Sequence, residues 1–470
     1  MTIKTALVPA FLALALTASG CKDKPEPEIT ESTSTNRENV LLAQASPSAN
    51  SAQREPGSQP ATRPASQPAA GSPAPPVPVK PKRQDAAGQE VQDVQPSDPA
   101  AFNGFAFDLL REVAAAAEGD ENVLISPASI STILALVADG ARGTSREQML
   151  AALGVETLPE KQPFGFLNEA GDVDVNMANA VWVDAGYSIR DAFAKHARAD
   201  YGAEIGTLEL DSDEAAKLIN AWVKDNTNEM IESLVDGPLG DDMRVYLANA
   251  VAFEGKWRDP FQEAHTKDKP FHLANGDSVQ VPLMTRTGMI RYTEAAMPGG
   301  EGQVQVVELE YGEGGGYSMI AMLPPQDQDV VELVSSLDAA AWEELTGQLR
   351  RQDGTVTIPR LEYSFKKILN QPLQDLGMTA PFHKGQANFD GMGENLFIGE
   401  VVHKAYIEMN EEGTRAAAAT GVGMRATSAS ITPPFHFLAD RPYVYFIATR
   451  GGGAKVPAVL FSGVVKNPKG

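Results

Sequence analysis

Residues 411–428 read EEGTRAAAATGVGMRATS, in which two acidic residues and a glycine precede a run of small side chains. Read with a period of two, Thr414, Thr420 and Met424 fall in one set, whereas Arg415 and Arg425 fall in the other. Side chains alternate between the two faces of a strand, so this pattern indicates a strand that is buried on one side and wet on the other.

The composition of the same stretch disfavours a strand that forms spontaneously. Four consecutive alanines and three glycines are weak strand formers. No proline occurs from Glu411 to Thr432, so nothing prevents ladder bonding until Pro433 and Pro434 end the run. The residues alone leave two interpretations open: a flexible Ala/Gly-rich linker, or a loop that is exposed at first and can enter a sheet later.

The chain around this stretch has the periodicity of a mixed α+β protein. Hydrophobic patterning predicts helices at Phe102–Ala117, Pro127–Ala138, Asp191–Tyr201 and Asp213–Leu234. It predicts strands at Val175–Val183, Val304–Tyr311, Tyr317–Leu323, Thr355–Phe365 and Val401–Met409, and a hairpin of Tyr443–Thr449 with Val456–Val465. Helices lead and strands follow, which favours an α+β domain with large, mostly antiparallel sheets.

The first hundred residues have a different composition from the rest. No aromatic residue occurs between Cys21 and Ala101, and that stretch holds 14 of the 33 prolines. It offers too little apolar surface to offset the entropy lost on ordering, so we expect a disordered Pro/Ala/Ser-rich tether over residues 21–98. The folded domain is then residues 99–470, which are enough for a large core.

The amino terminus predicts export. Lys4 precedes an apolar run from Ala6 to Thr17 that is too short to span a bilayer well, as in a signal peptide over residues 1–20. Small residues precede Cys21, an arrangement that resembles the lipobox of bacterial lipoproteins, although Ala18 stands where Leu is usual. We expect Cys21 to be acylated and to anchor the chain at the outer membrane, on the periplasmic or cell-surface face. An ordinary signal peptide is the alternative.

Charge and motif content exclude several functions. The net charge is −23, and residues 21–95 contribute 8 basic and 9 acidic groups, so the folded part is acidic and lacks the basic character that nucleic acid binding requires. A lone cysteine excludes internal disulfides. The six histidines include no HExxH pair, and the sequence has no GxSxG and no P-loop. We therefore expect no metal, no cofactor and no enzymatic activity.

Several segments resemble the serpin family of serine protease inhibitors, and together they cover essentially all of Ala101–Pro468. The matching segments are Asn122 with Ile125–Ile130, Ile219–Val223 with Thr227, Asn249–Trp257 with Pro260-Phe261, His403–Ala405, Phe437–Tyr443, Phe461–Gly463 and Asn467-Pro468. Glu411–Thr420 resembles the hinge of inhibitory members. Arg415 departs from the family, which usually has an acidic residue there, and the short stretch Leu158–Asp174 suggests that the heparin-binding helix is truncated.

The resemblance implies a serpin fold: helices packed on a large central mostly antiparallel β-sheet, two smaller sheets and an exposed reactive loop. A serine protease attacks the loop as a substrate, and the cut hinge then inserts as a new strand of the central sheet and traps the acyl-enzyme. The implied hinge residues are Glu411, Glu412, Gly413, Thr414, Ala416, Ala417, Ala418, Ala419 and Thr420. Insertion predicts that cutting the loop raises the melting temperature by tens of degrees.

The resemblance also assigns structural roles elsewhere. It implies a buried polar cluster beneath the sheet, where the strands part, formed by Ser126, Ser129, Asn249 and His403. It places Trp257 at the top of the sheet, where the hinge enters. Arg360 stands where the family keeps a basic partner for the hinge glutamate, so we expect an Arg360–Glu411 ion pair that holds the loop closed.

The position of the cut follows from counting along the hinge. With Glu411 as the first residue, the seventeenth is Thr427, which predicts cleavage between Thr427 and Ser428; Arg425–Ala426 is the alternative. Small residues there favour elastase- or subtilisin-like proteases, because a shallow specificity pocket excludes large side chains. We expect a monomer that binds no heparin and touches the membrane only through its lipid anchor. The alternative function is a non-inhibitory serpin that acts as a binding or chaperone-like module.

Overall fold

The computed structural model describes residues 98–159, 162, 164–168, 173–414, 433–449 and 455–470. These residues form eight α-helices: α1 Asn103–Ala115, α2 Pro127–Gly140, α3 Gly143–Leu153, α4 Asp191–Tyr201, α5 Asp213–Asn226, α6 Val330–Ser336, α7 Ala339–Gln348 and α8 Asn370–Asp375. None of the helices in this part of the chain has the length and apolar character that a membrane span requires.

Fifteen strands accompany the helices in the described residues. They are β1 Val123–Ile125, β2 Val173–Asp184, β3 Glu204–Leu208, β4 Val245–Lys256, β5 Lys267–His272, β6 Ser278–Ala296, β7 Gln303–Tyr311, β8 Tyr317–Leu323, β9 Arg350–Pro359, β10 Leu361–Ile368, β11 Ile398–Met409, β12 Gly413–Thr414, β13 Phe435–Leu438, β14 Tyr443–Thr449 and β15 Ala458–Val465.

The strands form two sheets. A six-stranded sheet has the order β10-β11-β12-β4-β2-β3, and a nine-stranded sheet has the order β1-β15-β14-β8-β7-β6-β9-β13 with β5 on β6. The long strand β6 pairs with β5, β7 and β9, so the nine-stranded sheet is continuous in the described residues, where two smaller sheets were expected. Most pairs are antiparallel, but β11 and β4 are parallel over eight residue pairs. We call this line of contact the β4–β11 seam.

The six-stranded sheet is covered on both faces. Helix α2, which is buried along almost its whole length, packs against β15, β4 and β2. On the opposite face, α5 buries Ile219 and Val223 against small side chains of the sheet, among them Ala180 and Ala248. Small residues under α5 let the helix approach the sheet closely, so the seam lies between two packed layers.

Two predicted boundaries are wrong. The helix predicted to end at Leu234 ends at Asn226, because Asn228 and Glu229 adopt positive φ and the apolar residues beyond them pack on the sheet as a loop. The single strand predicted at Thr355–Phe365 is two strands in different sheets, β9 and β10, and Arg360 is the residue between them.

Candidate functional site

A tight turn at the end of β11 begins the hinge. The backbone N–H of Asn410 donates to the carbonyl oxygen of Gly413 at 2.8 Å, and the side-chain oxygen of Asn410 accepts from the N–H groups of Glu412 and Gly413 at 3.0 and 3.3 Å. Asparagine is favoured here because its side chain satisfies turn N–H groups that strand pairing leaves free. The turn sends the chain back along β11.

The two residues after the turn already lie in the sheet. Gly413 and Thr414 pair antiparallel with Lys256 and Gly255 of β4, and Thr414 also pairs with Met409 of β11. A side chain at Gly413 would clash with the carbonyl oxygen of Gly255, so only glycine fits. The hinge was expected to be exposed, but Thr414 is fully buried. The first two hinge residues in the sheet, Gly413 and Thr414, thus already separate β11 from β4, and we call this pair the wedge.

An aromatic pair holds this wedge from the core side. The hydroxyl groups of Tyr311 and Thr414 lie 2.8 Å apart, and burial raises the pKa of Tyr311, which therefore remains a neutral phenol. Trp257 stacks on Tyr311 with ring centroids 4.3 Å apart, and its indole N–H donates to the carbonyl oxygen of Asn410 at 3.0 Å. Trp257 thus lies at the upper end of the seam, where the hinge enters.

The expected ion pair between Arg360 and Glu411 is present. Arg360 Nε lies 2.9 and 2.8 Å from the two carboxylate oxygens, and Nη2 lies 2.6 Å from Oε1, which also accepts from the Thr266 hydroxyl at 2.5 Å. Burial alone raises the pKa of Glu411, but the hydrogen bonds from Arg360 and Thr266 outweigh it and lower that pKa below its usual value. Glu411 is buried, whereas the Arg360 side chain is 43% exposed.

The predicted polar cluster is assembled beneath the seam. Asn249 of β4 donates to the Ser129 hydroxyl at 2.6 Å, and the Ser126 hydroxyl accepts from the backbone N–H of Ser129 at 3.3 Å. His403 of β11 lies 2.5 Å from the side-chain oxygen of Asn249 through Nδ1. Asn179 of β2 also accepts from Asn249, at 2.6 Å, so one amide bridges three strands.

The hydrogen bonds of His403 determine its protonation state. Nε2 accepts from the backbone N–H of Ser126 at 3.2 Å, so Nδ1 carries the proton and donates to Asn249. Burial lowers the pKa of His403 to about 3 because a charged ring there would be desolvated. A neutral imidazole therefore ties β11 to β4 across the seam.

The described residues end at Thr414 and resume at Pro433. Phe435 of β13 stacks on Tyr292 with ring centroids 3.9 Å apart, and a side chain on Gly354 would overlap the Phe435 ring. This packing anchors the far end of the loop to β9. The remaining predicted site residues lie outside the described part of the chain: Cys21, Ala416, Ala417, Ala418, Ala419, Thr420, Arg425, Ala426, Thr427 and Ser428.

Sequence reasoning missed four residues of this site: Asn179, Thr266, Tyr311 and Asn410. The asparagine before Glu411 was recognisable as a turn former, and a polar residue among the apolar neighbours of Asn179 was a signal for a buried partner. Tyr311 and Thr266 gave no local signal, since their partners are more than one hundred residues away in sequence. Within the described residues, no group of three His, Cys, Asp or Glu side chains could hold a metal ion.

Comparisons with known proteins agree with this geometry. The family model described as "Serpin (serine protease inhibitor)" matches residues 100–468. A serpin-like protein of Thermococcus kodakarensis is 33% identical and is aligned over 78% of this chain and 85% of its own length. Serpin-Z2A of rice is 32% identical, with 79% and 97% covered. The crystal structure of Serpin48 of Tenebrio molitor has a TM-score of 0.68, 29% identity, and 80% and 99% coverage.

Proposed function

The chain belongs to the serpin family, and from that premise we propose that it is an irreversible suicide-substrate inhibitor of serine proteases. The observation that carries the proposal is the pairing of Gly413 and Thr414 between β11 and β4, which supports insertion of the residues that follow as a new strand. The protein is consumed in the reaction and is not a catalyst.

The reaction begins as ordinary proteolysis. The serine Oγ of the protease attacks the carbonyl carbon of Thr427, the bond to Ser428 breaks, and the Ser428 nitrogen takes up a proton as the new amine. An ester now joins the protease to the hinge side of the loop. The segment from Ser428 onward stays with the domain, because β14 and β15 are buried in the nine-stranded sheet.

The observed pairing supports one register for further insertion. Each residue added after Thr414 moves one position down β4, so residue 420 arrives opposite Asn249 and residue 424 opposite Val245. About a dozen new backbone hydrogen bonds, at ~1 kcal/mol net each, give a gain on the order of 10 kcal/mol. The protease is carried along the sheet and is held as an acyl-enzyme before water completes hydrolysis.

The same register explains the small side chains of the hinge. Position 420 lies between Asn249 and His403, so the 2.5 Å hydrogen bond that joins them must break as the strand passes. Thr420 brings a hydroxyl that can replace that bond with one to each neighbour. The alanines before it add no bulk while the seam opens.

The register also gives a role to the unusual Arg415. It would arrive between Glu254 of β4 and Glu408 of β11, so that a cation meets two carboxylates on the outer face of the new strand. An Arg415→Glu variant should therefore trap fewer proteases per molecule. The yield should recover when Glu254 and Glu408 are both changed to Lys; no recovery would reject this register.

Incubation of the full chain with elastase, subtilisin, trypsin and chymotrypsin tests the function. A covalent band that survives denaturing electrophoresis supports inhibition, and clean loop cleavage without a complex contradicts it and favours the non-inhibitory alternative. Mass spectrometry of the carboxyl-terminal fragment then identifies the bond. A fragment that begins at Ser428 supports the predicted site and an elastase- or subtilisin-like target, and one that begins at Ala426 supports a trypsin-like target.

We also propose that the chain is exported and anchored through an acylated Cys21, with residues 21–98 as the tether. The support is the apolar run before Cys21 and the aromatic-free composition after it. Metabolic labelling with a radioactive fatty acid should mark the wild-type chain but not a Cys21→Ser variant. Equal labelling of both would contradict the anchor.

A further inference from the structure

The two ends of the β4–β11 seam are closed in different ways. At the upper end, Gly413 and Thr414 already separate the strands. At the lower end, the strands begin at Val245 and Ile398, and the residue before each strand takes part in one aromatic contact. Since insertion starts at the upper end, this lower contact is the last part of the seam to open.

Arg244 makes the lower contact. Its guanidinium carbon lies 4.7 Å from the centre of the Tyr187 ring and 4.9 Å from the centre of the Phe397 ring, both within cation–π range. Nη1 donates to the backbone carbonyl oxygen of Asn395. The arginine is thus held between one ring from each side of the seam.

The backbone shows which partner belongs to which side. The carbonyl oxygen of Arg244 accepts from the N–H of Asp184, the last residue of β2, and the carbonyl oxygen of Asp184 accepts from the N–H of Tyr187, each at 2.9 Å. Arg244 and Tyr187 are therefore fixed to the β2–β4 side. Asn395 and Phe397 lead directly into β11, so the Arg244 side chain crosses the seam at this end.

The inserting strand must separate Arg244 from Phe397 and Asn395. The register continued from Thr414 brings residue 424 opposite Val245, and the cut expected after Thr427 leaves three further residues to pass the level of Arg244. An open surface pocket of about 500 Å³ is lined by Phe397, Phe382 and Lys384, beside the ring that the strand must displace.

We propose that Arg244 is a positioning residue that clamps the lower end of the seam in the uncut protein and is released when the hinge strand reaches it. The inference rests on the proposed function, since it requires strand insertion. The clamp contributes to the stability of the uncut form only, and it opposes full insertion until cleavage supplies the driving force.

Melting of the uncut and the cut full chain tests the proposal. The loop is nicked by limited proteolysis, and mass spectrometry confirms a cut within residues 424–432. We expect Arg244→Ala to lower the melting temperature of the uncut chain by about 4 °C and to change that of the cut chain by less than about 1 °C. Phe397→Leu removes the ring on the β11 side and should give the same asymmetry, which guards against a folding defect specific to Arg244.

Arg111 offers a matched control. It also donates to backbone carbonyl oxygens, those of Ser335 and Leu337, at 3.1 and 3.0 Å, but it lies on α1, away from the seam. Arg111→Ala should lower both melting temperatures equally. An equal loss in both forms for Arg244→Ala, or no loss in either, overturns the clamp. If wild-type protein gains no stability on cutting, insertion and the proposed function fail instead.

Discussion

Strand β4 has a different neighbour on each side, and the two boundaries differ in construction. Its pairing with β2 is antiparallel and unbroken over eleven residue pairs, from Val173–Gly255 to Val183–Val245. Its pairing with β11 is parallel, covers eight pairs, is irregular between Ile398 and Glu400, and gives way to the hinge at its upper end. Parallel pairing is slightly less stable per residue, so the boundary of β4 with β11 is weaker than its boundary with β2.

For the insertion proposed above, this difference indicates where the driving force would lie. Residues 413–414 run antiparallel to both β11 and β4. A longer strand in the same place would replace one parallel boundary with two antiparallel ones, without disturbing the β2 side. The weaker boundary is therefore the place where the proposed insertion would add a strand.

Cutting the loop should remove the difference between the boundaries and has the largest expected effect. A gain on the order of 10 kcal/mol should raise the melting temperature by roughly 20 °C or more, because the new strand adds a full set of ladder bonds. Differential scanning calorimetry before and after a verified cut measures the shift. Hydrogen exchange should slow at β11 amides and stay unchanged on β2; an unchanged melting curve would falsify insertion.

Thr414→Arg should prevent the hinge from entering the sheet between β11 and β4. The side chain is fully buried against Tyr311, and burying an unpaired charge there costs on the order of several kcal/mol, so the hinge leaves the sheet instead. We expect protease binding to persist while the product changes from covalent complex to cleaved chain. The ratio of the two gel bands measures this change. Thr414→Ser keeps the hydroxyl and should keep the complex; equal ratios for both variants would contradict the argument.

The sequence contained enough local signal for the elements, and it also contained a signal for the boundary between β9 and β10 that the single predicted strand overlooked. The buried apolar side chains include Val356 and Ile358 in β9, and Leu361, Tyr363 and Phe365 in β10. The apolar alternation therefore shifts phase near Arg360. A one-residue shift turns side chains to the other face, and this shift was a readable sign that one strand could not be correct.

The depth of the hinge was beyond sequence reasoning. Alternation correctly put Thr414 on the buried side, and the resemblance to serpins brought Arg360 and Glu411 together. Whether Thr414 lies outside the sheet or inside it depends on its contact with the hydroxyl of Tyr311, a residue 103 positions away in the chain. The balance between one hydrogen bond and the cost of opening two residue pairs is a tertiary property with no local signature.

Acidification should weaken the β11 side of β4 and leave the β2 side intact, with a moderate effect. Asn249 bonds to Asn179, which does not titrate, and to His403, whose folded pKa of about 3 lies below its unfolded value of 6.5. Between these values the unfolded chain binds the proton and the folded chain does not, so stability falls as pH falls, by about 1.4 kcal/mol per unit.

Urea unfolding of the uncut chain between pH 6 and pH 4 measures this dependence. His403 should account for a loss of roughly 2–3 kcal/mol over that range, in addition to losses from carboxylates. A His403→Gln variant keeps a hydrogen-bonding side chain but does not titrate, and its slope should be correspondingly smaller. Parallel slopes for the two proteins would show that His403 is not the group that loses stability.

The smallest effect concerns the turn that leads into the weak boundary. Glu411→Gln and Arg360→Gln should each cost under about 1 kcal/mol, because the Arg360 side chain is 43% exposed and solvent screens the pair. The lowered pKa of Glu411 means that this contribution is present above its unfolded pKa of 4.5 and is lost as pH falls through the folded value. What should change clearly is the hinge: without the ion pair, residues 413–414 leave the sheet more often, and the Trp257 indole N–H loses its acceptor, the carbonyl oxygen of Asn410. We therefore expect a red shift of tryptophan fluorescence with inhibition retained within about threefold, since the energy of the completed strand exceeds that of the pair by an order of magnitude.

Lys366→Gln, which removes a surface pair with Asp236, is the control and should leave the spectrum unchanged. An unshifted spectrum in both hinge variants would mean that the Tyr311–Thr414 bond alone keeps the wedge in place, and that the pair at Glu411 only fixes the turn.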